Sequence, residues 1–326
     1  MTAVKWGILS TARINRLFLA GARQAHNVEI FAVASRSAQR AEQYARENQI
    51  ARAYGSYEEL LRDPDVEAVY ISLPNSFHVD LSIRALEAGK HVLCEKPLSR
   101  RPREVERAFD AAERNQRLLM EAFMYRHHPQ TRRLTKLIAE GAVGRLRVIR
   151  AAFGFVASDP ANVRLSPTLD GGGLMDVGCY CLSAARLIAG EPERVSAEQL
   201  LGGDGVDVAF AAVMRHRDDV LTHFDAGLAL ASRDLLEIVG DGGSLLLTDP
   251  WHCRNPGIEL TREDGATEWI EVEKADSYAL EAENFSASIR GEGEPLLGRA
   301  DALGQARAIE ALYAAADEAR VMTLTS

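Results

Sequence analysis

Residues 7–15 read Gly7-Ile8-Leu9-Ser10-Thr11-Ala12-Arg13-Ile14-Asn15. The short, mostly apolar Val4-Lys5-Trp6 precedes them, and Arg16-Leu17-Phe18-Leu19-Ala20 begins a helical pattern behind them. A strand, a tight turn and a helix in this order are where a dinucleotide-binding fold carries G-x-G-x-x-G. Its glycines serve the turn, the approach of a pyrophosphate and the packing of the helix. Here the three glycine positions hold Ser10, Ala12 and Asn15. Serine and alanine are the smallest replacements, so a phosphate can still come close, and the Ser10 hydroxyl adds a donor. Alone, the turn describes any strand-turn-helix, and the rest of the chain has to decide.

Outward from it, apolar runs alternate with helical ones. Val28–Ser35, Val66–Leu73, His91–Cys94 and Arg117–Phe123 have strand length and strand composition. Ser37–Asn48, Phe77–Ala88 and Arg103–Asn115 carry helical spacing between them. Such alternation predicts a parallel sheet with helices on both faces, an α/β Rossmann domain over residues 1–123. In that architecture ligands bind beyond the carboxyl ends of the strands, which singles out Ser10, Ser35, Pro74 and Glu95. From residue 124 to 326 the pattern changes. Candidate strands follow one another at Leu146–Phe155, Val206–Met214, Val220–Leu230, Leu235–Val239, Ser244–Leu247, Gly257–Thr261 and Glu268–Val272. Asp241-Gly242-Gly243 is a hairpin turn. This second domain is expected to be an α/β unit around a large, open, mostly antiparallel sheet. Its last helices are expected at Tyr278–Ile289 and Ala300–Arg320.

Composition narrows the classes. The chain has 326 residues, 47% hydrophobic and 26% charged, with a formal net charge of -9. An acidic balance argues against a broad nucleic-acid footprint, and no apolar run is long enough to span a bilayer. The strand pattern begins at once and leaves no room for a signal peptide. Four cysteines, Cys94, Cys179, Cys181 and Cys253, do not make a disulfide framework in a chain this long and fit a reducing cytoplasm.

Three of the singled-out positions point to NADP. The end of the second strand reads Ser35-Arg36-Ser37, with Arg40 one helical turn on and no acid to repel a 2'-phosphate. A guanidinium fork suits that phosphate. Glu95-Lys96-Pro97 follows the strand His91–Cys94 and offers a lysine at a strand end. The proline restricts Lys96 to extended conformations, and a cis bond is expected to aim it inward. In the second domain, Gly171-Gly172-Gly173 leads into a helix running to about Ala189, with Asp176, Tyr180 and Ser183 on one stripe. The bland alternative for that stripe is a polar face turned to solvent. With Lys96 present, the stripe reads as a proton-transfer site. Free tyrosine titrates near ~10, and a neighbouring ammonium lowers it toward a useful base. Tyr180 and Lys96 meet only if the two domains form one cleft. His127-His128 and Cys179-x-Cys181 match no zinc spacing and read as structural, so no metal is expected. His128 is placed at the border of the substrate pocket, and Trp251 is read as packing or a subunit contact.

These residues resemble the glucose-fructose oxidoreductase/inositol dehydrogenase (GFO/IDH/MocA) family over essentially the whole chain. The marks are Trp6-Gly7-Ile8-Leu9, Tyr54-Gly55-Ser56-Tyr57, Leu73-Pro74-Asn75-Ser76-Phe77-His78, Ala88 through Pro97, Met120-Glu121-Ala122-Phe123-Met124-Tyr125-Arg126, and Gly171 through Tyr180. Tyrosine at position 180, where many members carry histidine, resembles the branch of NADP-dependent xylose dehydrogenase and dimeric dihydrodiol dehydrogenase. The departures at Ser10, Ala12 and Asn15 also occur in that branch. The resemblance implies catalytic roles for Lys96, Tyr180 and Asp176. It places Ser10, Thr11, Ala12, Arg13, Ile14, Ser35, Arg36, Arg40, Leu73, Pro74, Asn75, His78, Glu95, Lys96 and Arg164 on the cofactor, Arg164 with a substrate contact as the alternative. Expected is an NADP-dependent dehydrogenase or reductase of a sugar or polyol carbon, working as a homodimer or higher homo-oligomer without nucleic-acid or membrane partners. The competing readings are a dihydrodiol-type dehydrogenase, a non-enzymatic NADP-binding sensor, and redox-neutral glycosidase chemistry with a retained cofactor. Binding alone needs neither Lys96 nor Tyr180, which argues against the sensor.

Overall fold

The structure is a computed structural model that describes residues 2–324. The chain forms two compact units: the residues up to Met124 with Asp276–Leu303, and Tyr125–Ala275 with the residues from Gly304 onward.

In the first unit, six strands, β1 (Val4–Leu9), β2 (Val28–Ala34), β3 (Arg52–Tyr54), β4 (Ala68–Ile71), β5 (His91–Glu95) and β6 (Leu119–Ala122), form one sheet in the order β3-β2-β1-β4-β5-β6. Every pairing is parallel. The strands are buried on both faces: Ala68, Val69, Tyr70 and Ile71 are each 0% exposed. This explains why they read as continuous apolar runs rather than as alternations. The helices are α1 (Asn15–Ala22), α2 (Ala38–Glu47), α3 (Tyr57–Leu61), α4 (His78–Glu87) and α5 (Pro102–Arg114). The short β3, whose three residues are all half-buried, has no apolar run to announce it. The strand order reverses between β1 and β4, and a fold of this type binds its ligand beyond the strand ends at that reversal.

A single break near residue 123 does not describe the units, because Asp276–Leu303 returns to the first one. The helix α8 (Ser277–Ile289) belongs there for a steric reason. A Cβ on Gly21 of α1 would lie 2.6 Å from the Ala279 nitrogen, so the two helices touch through a glycine. The Trp6 indole also donates to the Ser286 hydroxyl at 3.1 Å, and Arg290 pairs with Glu67 at 2.7 Å.

The second unit is built on nine strands: β7 (Leu146–Val156), β8 (Pro192–Leu201), β9 (Asp207–His216), β10 (Leu221–Gly227), β11 (Ala229–Gly240), β12 (Gly243–Leu247), β13 (Gly257–Arg262), β14 (Thr267–Glu271) and β15 (Met322–Thr323). Their order is β14-β13-β12-β11-β7-β10-β9-β8-β15, and all pairs are antiparallel except β7 with β10. Its helices are α6 (Pro129–Ala139) and α7 (Cys179–Ala189), and α9 (Arg299–Glu318) straddles the division between the units. Two expected strands, Val220–Leu230 and Leu235–Val239, are divided differently. The first ends at Gly227, and the second is one long strand from Ala229 whose register shifts between Ala229 and Arg233. β8 was not foreseen because its inward residues include only the small Val195 and Ala197 among polar neighbours.

Alternation sorts the faces of this sheet. Met214, Thr222 and Phe224 are at most 3% exposed, while Val213 and Leu221 on the other face are 51% and 45% exposed. One face is packed and one is open, as antiparallel sheets permit.

Candidate active site

The β1–α1 turn keeps the conformation of the missing glycines. Ser10 holds φ 153°, a region normally left to glycine. It is held there by Ser72, which sequence reading did not single out, and by Asn15, noted there only as a missing glycine. The Ser72 hydroxyl, at the end of β4, donates to Asn15 Oδ1 at 2.6 Å, and the Asn15 amide donates to the Ser10 carbonyl at 3.0 Å. The Ser10 hydroxyl lies 2.7 Å from that of Ser72 and accepts the Ala12 N–H at 3.1 Å. It is therefore committed to the turn itself. Asn15 is 0% exposed, so it fills the third glycine position as an interior brace. The first turns of α1 and α2 contain no acidic residue. A helix start of this kind suits a phosphate. Arg13, Arg36 and Arg40 are exposed, Ser35 is buried at the end of β2, and the Ser37 hydroxyl caps α2 by accepting the Arg40 N–H. Thr11, Ala12 and Ile14 are half-buried.

Leu73, Pro74 and Asn75 follow β4, half-buried. His78 is 0% exposed, with Nε2 2.8 Å from the Leu73 carbonyl and Nδ1 2.9 Å from the Pro97 carbonyl. Its ring joins the loops after β4 and β5. The Lys96–Pro97 bond is cis, as expected. The Lys96 amide donates to Glu95 Oε2 at 3.3 Å, and Glu95 also accepts the Tyr70 hydroxyl. Glu281 of α8 is fully buried in the same unit and has no hydrogen-bond partner on either carboxylate oxygen. Burial, and then the charge of Glu95, push its carboxyl well above the usual range.

In the second unit the glycine run enters its helix through a π turn, Leu174–Gly178, before α7 begins at Cys179. A widened turn of this kind is frequent at functional sites. The stripe of Asp176, Tyr180 and Ser183 is not a solvent face: Tyr180 is 7% exposed and Ser183 0%. The Tyr180 ring has Phe153 edge-on at 5.4 Å, Tyr125 at 5.8 Å and Trp251 at 6.0 Å. Trp251 is 0% exposed and its indole donates to the Ala152 carbonyl at 2.9 Å, so it is packing and not an exposed contact. Tyr125 donates to the Ser183 hydroxyl at 2.9 Å. The Arg164 guanidinium is bound to Asp176 Oδ2 through Nε at 2.6 Å. It thus neutralises and orients the carboxylate from within this unit.

The nearby histidines are structural. His128 caps α6 by accepting the Gln130 N–H at 3.0 Å, and burial, with Arg126 and Arg132 nearby, pushes His127 down to about 3. All four cysteines are buried free thiols. Asp234, Asp249 and His252 bring polar atoms within 4.8 Å of one another, although Asp249 Oδ2 already accepts the Arg254 and Asn255 N–H groups.

With this geometry in view, residues 4–123 match the model of the oxidoreductase family with an NAD-binding Rossmann fold, and 131–246 match the GFO/IDH/MocA C-terminal domain. The D-xylose 1-dehydrogenase (NADP(+)) 2 of Haloferax volcanii is 36% identical, covering 98% of this chain and 99% of that one. A trans-1,2-dihydrobenzene-1,2-diol dehydrogenase of Xenopus laevis is 36% identical over 66% of each chain. The structure of KijD10, a 3-ketoreductase from Actinomadura kijaniata in complex with NADP and TDP-benzene, superposes with a TM-score of 0.91. It is 30% identical and covers 97% of this chain and 98% of that one. That ketoreductase has also been solved with one lysine and one tyrosine replaced, at positions as far apart in its chain as Lys96 and Tyr180 are here.

Asn15→Ala removes the brace and leaves the Ser72 hydroxyl and the Ser10 carbonyl short of a buried partner. It is expected to cost about 1–3 kcal/mol of stability in thermal or urea unfolding. An unchanged midpoint would mean that the turn is held by something else.

Proposed function

Because the chain belongs to the GFO/IDH/MocA oxidoreductase family, we propose that it is an NADP(H)-dependent dehydrogenase or reductase of a sugar or polyol carbon. The observation that carries the reading is Tyr180, a phenol withdrawn from water among aromatic rings beside an Arg164-bound Asp176. The likeness to an NADP-dependent xylose dehydrogenase and to an NADP-bound ketoreductase supports the cofactor and the substrate class.

Bound NADP supplies or accepts the hydride. The turn Ser10–Ile14 and the start of α1 would hold its diphosphate, and the Arg36 fork would pair with the 2'-phosphate, flanked by Ser35 and Arg40. Leu73, Pro74, Asn75 and Glu95 serve the nicotinamide side, with His78 holding the loops on which they sit. In oxidation Tyr180 would take the proton of the substrate hydroxyl, the hydride of the same carbon being what the oxidised cofactor would accept. In reduction Tyr180 returns that proton to the carbonyl oxygen. Lys96 is the residue this reading assigns to tuning a phenol, and Asp176, gripped by Arg164, would orient neighbouring hydroxyls.

A second reading, a trans-diol on an apolar ring, is supported by the rings of Tyr125, Phe153 and Trp251 around Tyr180 and by the likeness to dihydrodiol dehydrogenases. The four buried thiols fit a reducing cytoplasm, and among the described residues no helix is long and apolar enough to cross a membrane. The net charge of -9 argues against nucleic acid. The open face of the second unit's sheet, with Val213, Leu221 and Trp269 exposed, supports a homodimer or larger assembly.

Three measurements test this reading. Tyr180→Phe is expected to keep NADP affinity and to cut turnover by roughly 10²-fold or more. Lys96→Met should be at least as damaging, and near-normal turnover in Tyr180→Phe would move proton transfer to another group. In binding titrations the wild type should prefer NADP over NAD at equal salt, and Arg36→Asp should erase or invert the preference. Tighter NAD binding by the wild type would sink that assignment. Light scattering at micromolar concentration should give at least a dimer, and a monomer would remove the interface role of the open face.

A further inference from the structure

The three glycines of 171–173 have no side chain with which to fix the turn they make. They are held by a residue distant in sequence, Asp207, the first residue of β9. It is 2% exposed. Its Oδ2 accepts the Leu174 N–H at 2.6 Å, and its Oδ1 accepts the Tyr313 hydroxyl of α9 at 2.9 Å. Leu174 opens the π turn, whose own N-cap, Gly173, makes no side-chain cap. Asp207 therefore acts as a helix cap supplied from another strand, a carboxylate at the positive end of a helix. The contact is close enough to dictate the loop composition. Gly172 sits at φ +129°, and a Cβ there would fall 2.2 Å from Asp207 Oδ1. From the same loop, Gly172 donates to the Arg164 carbonyl at 2.8 Å and accepts the Asp176 N–H at 2.9 Å.

We propose that Asp207 is a positioning residue whose buried carboxylate anchors the glycine loop and thereby sets the placement of Asp176 and Tyr180. The inference rests on the reading of those two residues as the reacting pair and adds what holds them.

The carboxylate is also the group that makes the anchor sensitive to pH. Burial pushes Asp207 up to about 6, against the lowering effect of its hydrogen bonds from Leu174 and Tyr313. The titratable group facing it is the Tyr313 phenol. From the loop it meets the neutral backbone of Gly172, Gly173 and Leu174, and its strand neighbour on β8 is Leu201. The sign follows from the raised value. Ionisation opposes folding, so this group's contribution to stability declines as pH rises from the ordinary carboxylate range through about 6. The grip on the Leu174 N–H runs the other way, since it is charge-assisted only above that pH.

The test uses the full chain. Wild-type kcat is expected to fall about five-fold as pH drops through Asp207's titration, the gap between a charge-assisted and a neutral hydrogen bond. Asp207→Asn, neutral at every pH, should hold the lowered kcat throughout with no such limb and with unchanged NADPH affinity. Tyr313→Phe, which removes a bond that favours the carboxylate, should move the limb to higher pH. Amide hydrogen exchange over 172–180, corrected for intrinsic rates, should be faster in Asp207→Asn and in the wild type at low pH. Wild-type kcat and profile in Asp207→Asn, or unaltered exchange over 172–180, would overturn the proposal. If exchange responds while Tyr180→Phe turns over normally, the anchor stands and the role of Tyr180 is what fails.

Discussion

The Ser72 hydroxyl donating to Asn15 at 2.6 Å is the bond on which the first unit's binding end depends. β1 and β4 are neighbours in the sheet at the point where the strand order reverses. The loops leaving them must stay apart enough to admit a ligand and still be fixed. A glycine-rich turn does this by having nothing to clash. Here Ser10 adopts a glycine conformation and is locked there by Asn15 and Ser72. Backbone strain of that kind persists only where surrounding bonds over-determine it. The network also commits the Ser10 hydroxyl to the turn itself.

The second unit solves a similar problem with a different device. Its glycines are close-packed against a carboxylate instead of being open to a phosphate. The Gly172 position has no room for a Cβ, and its φ of +129° would resist one in any case. Both loops thus share a logic in which residues far apart in sequence, Ser72 for one and Asp207 for the other, fix a turn that its own residues cannot fix.

How much of this was legible follows from the physics of each element. Strands buried on both faces, such as Ala68–Ile71, show as apolar runs, and α4 and α5 show as helical spacing. The cis Lys96–Pro97 bond and the hairpin at Asp241-Gly242 were legible because proline and glycine restrict the backbone locally. Asn15, Ser72 and Asp207 were not, since a buried polar residue declares itself only through its partners. Those partners are distant in the chain. Arg164 was read from its place before the glycines as a cofactor or substrate contact, whereas its bond to Asp176 required coordinates. The return of α8 to the first unit was hidden for the same reason, its signal being a glycine on α1 and a hydroxyl on Ser286. Helical spacing put Asp176 and Tyr180 on one stripe, and the structure shows that the chain between them begins as a π turn.

Hydride transfer between NADP(H) and a hydroxyl-bearing carbon is read out by the reaction itself. Purified protein is mixed with NADP or NAD and a panel of aldoses, polyols and trans-diols, and NAD(P)H absorbance is followed. NADPH is expected to form with at least one aldose or polyol, and NADH much more slowly or not at all. NADP binding with no turnover of any member in either direction would contradict it and favour a sensor that uses the same fold.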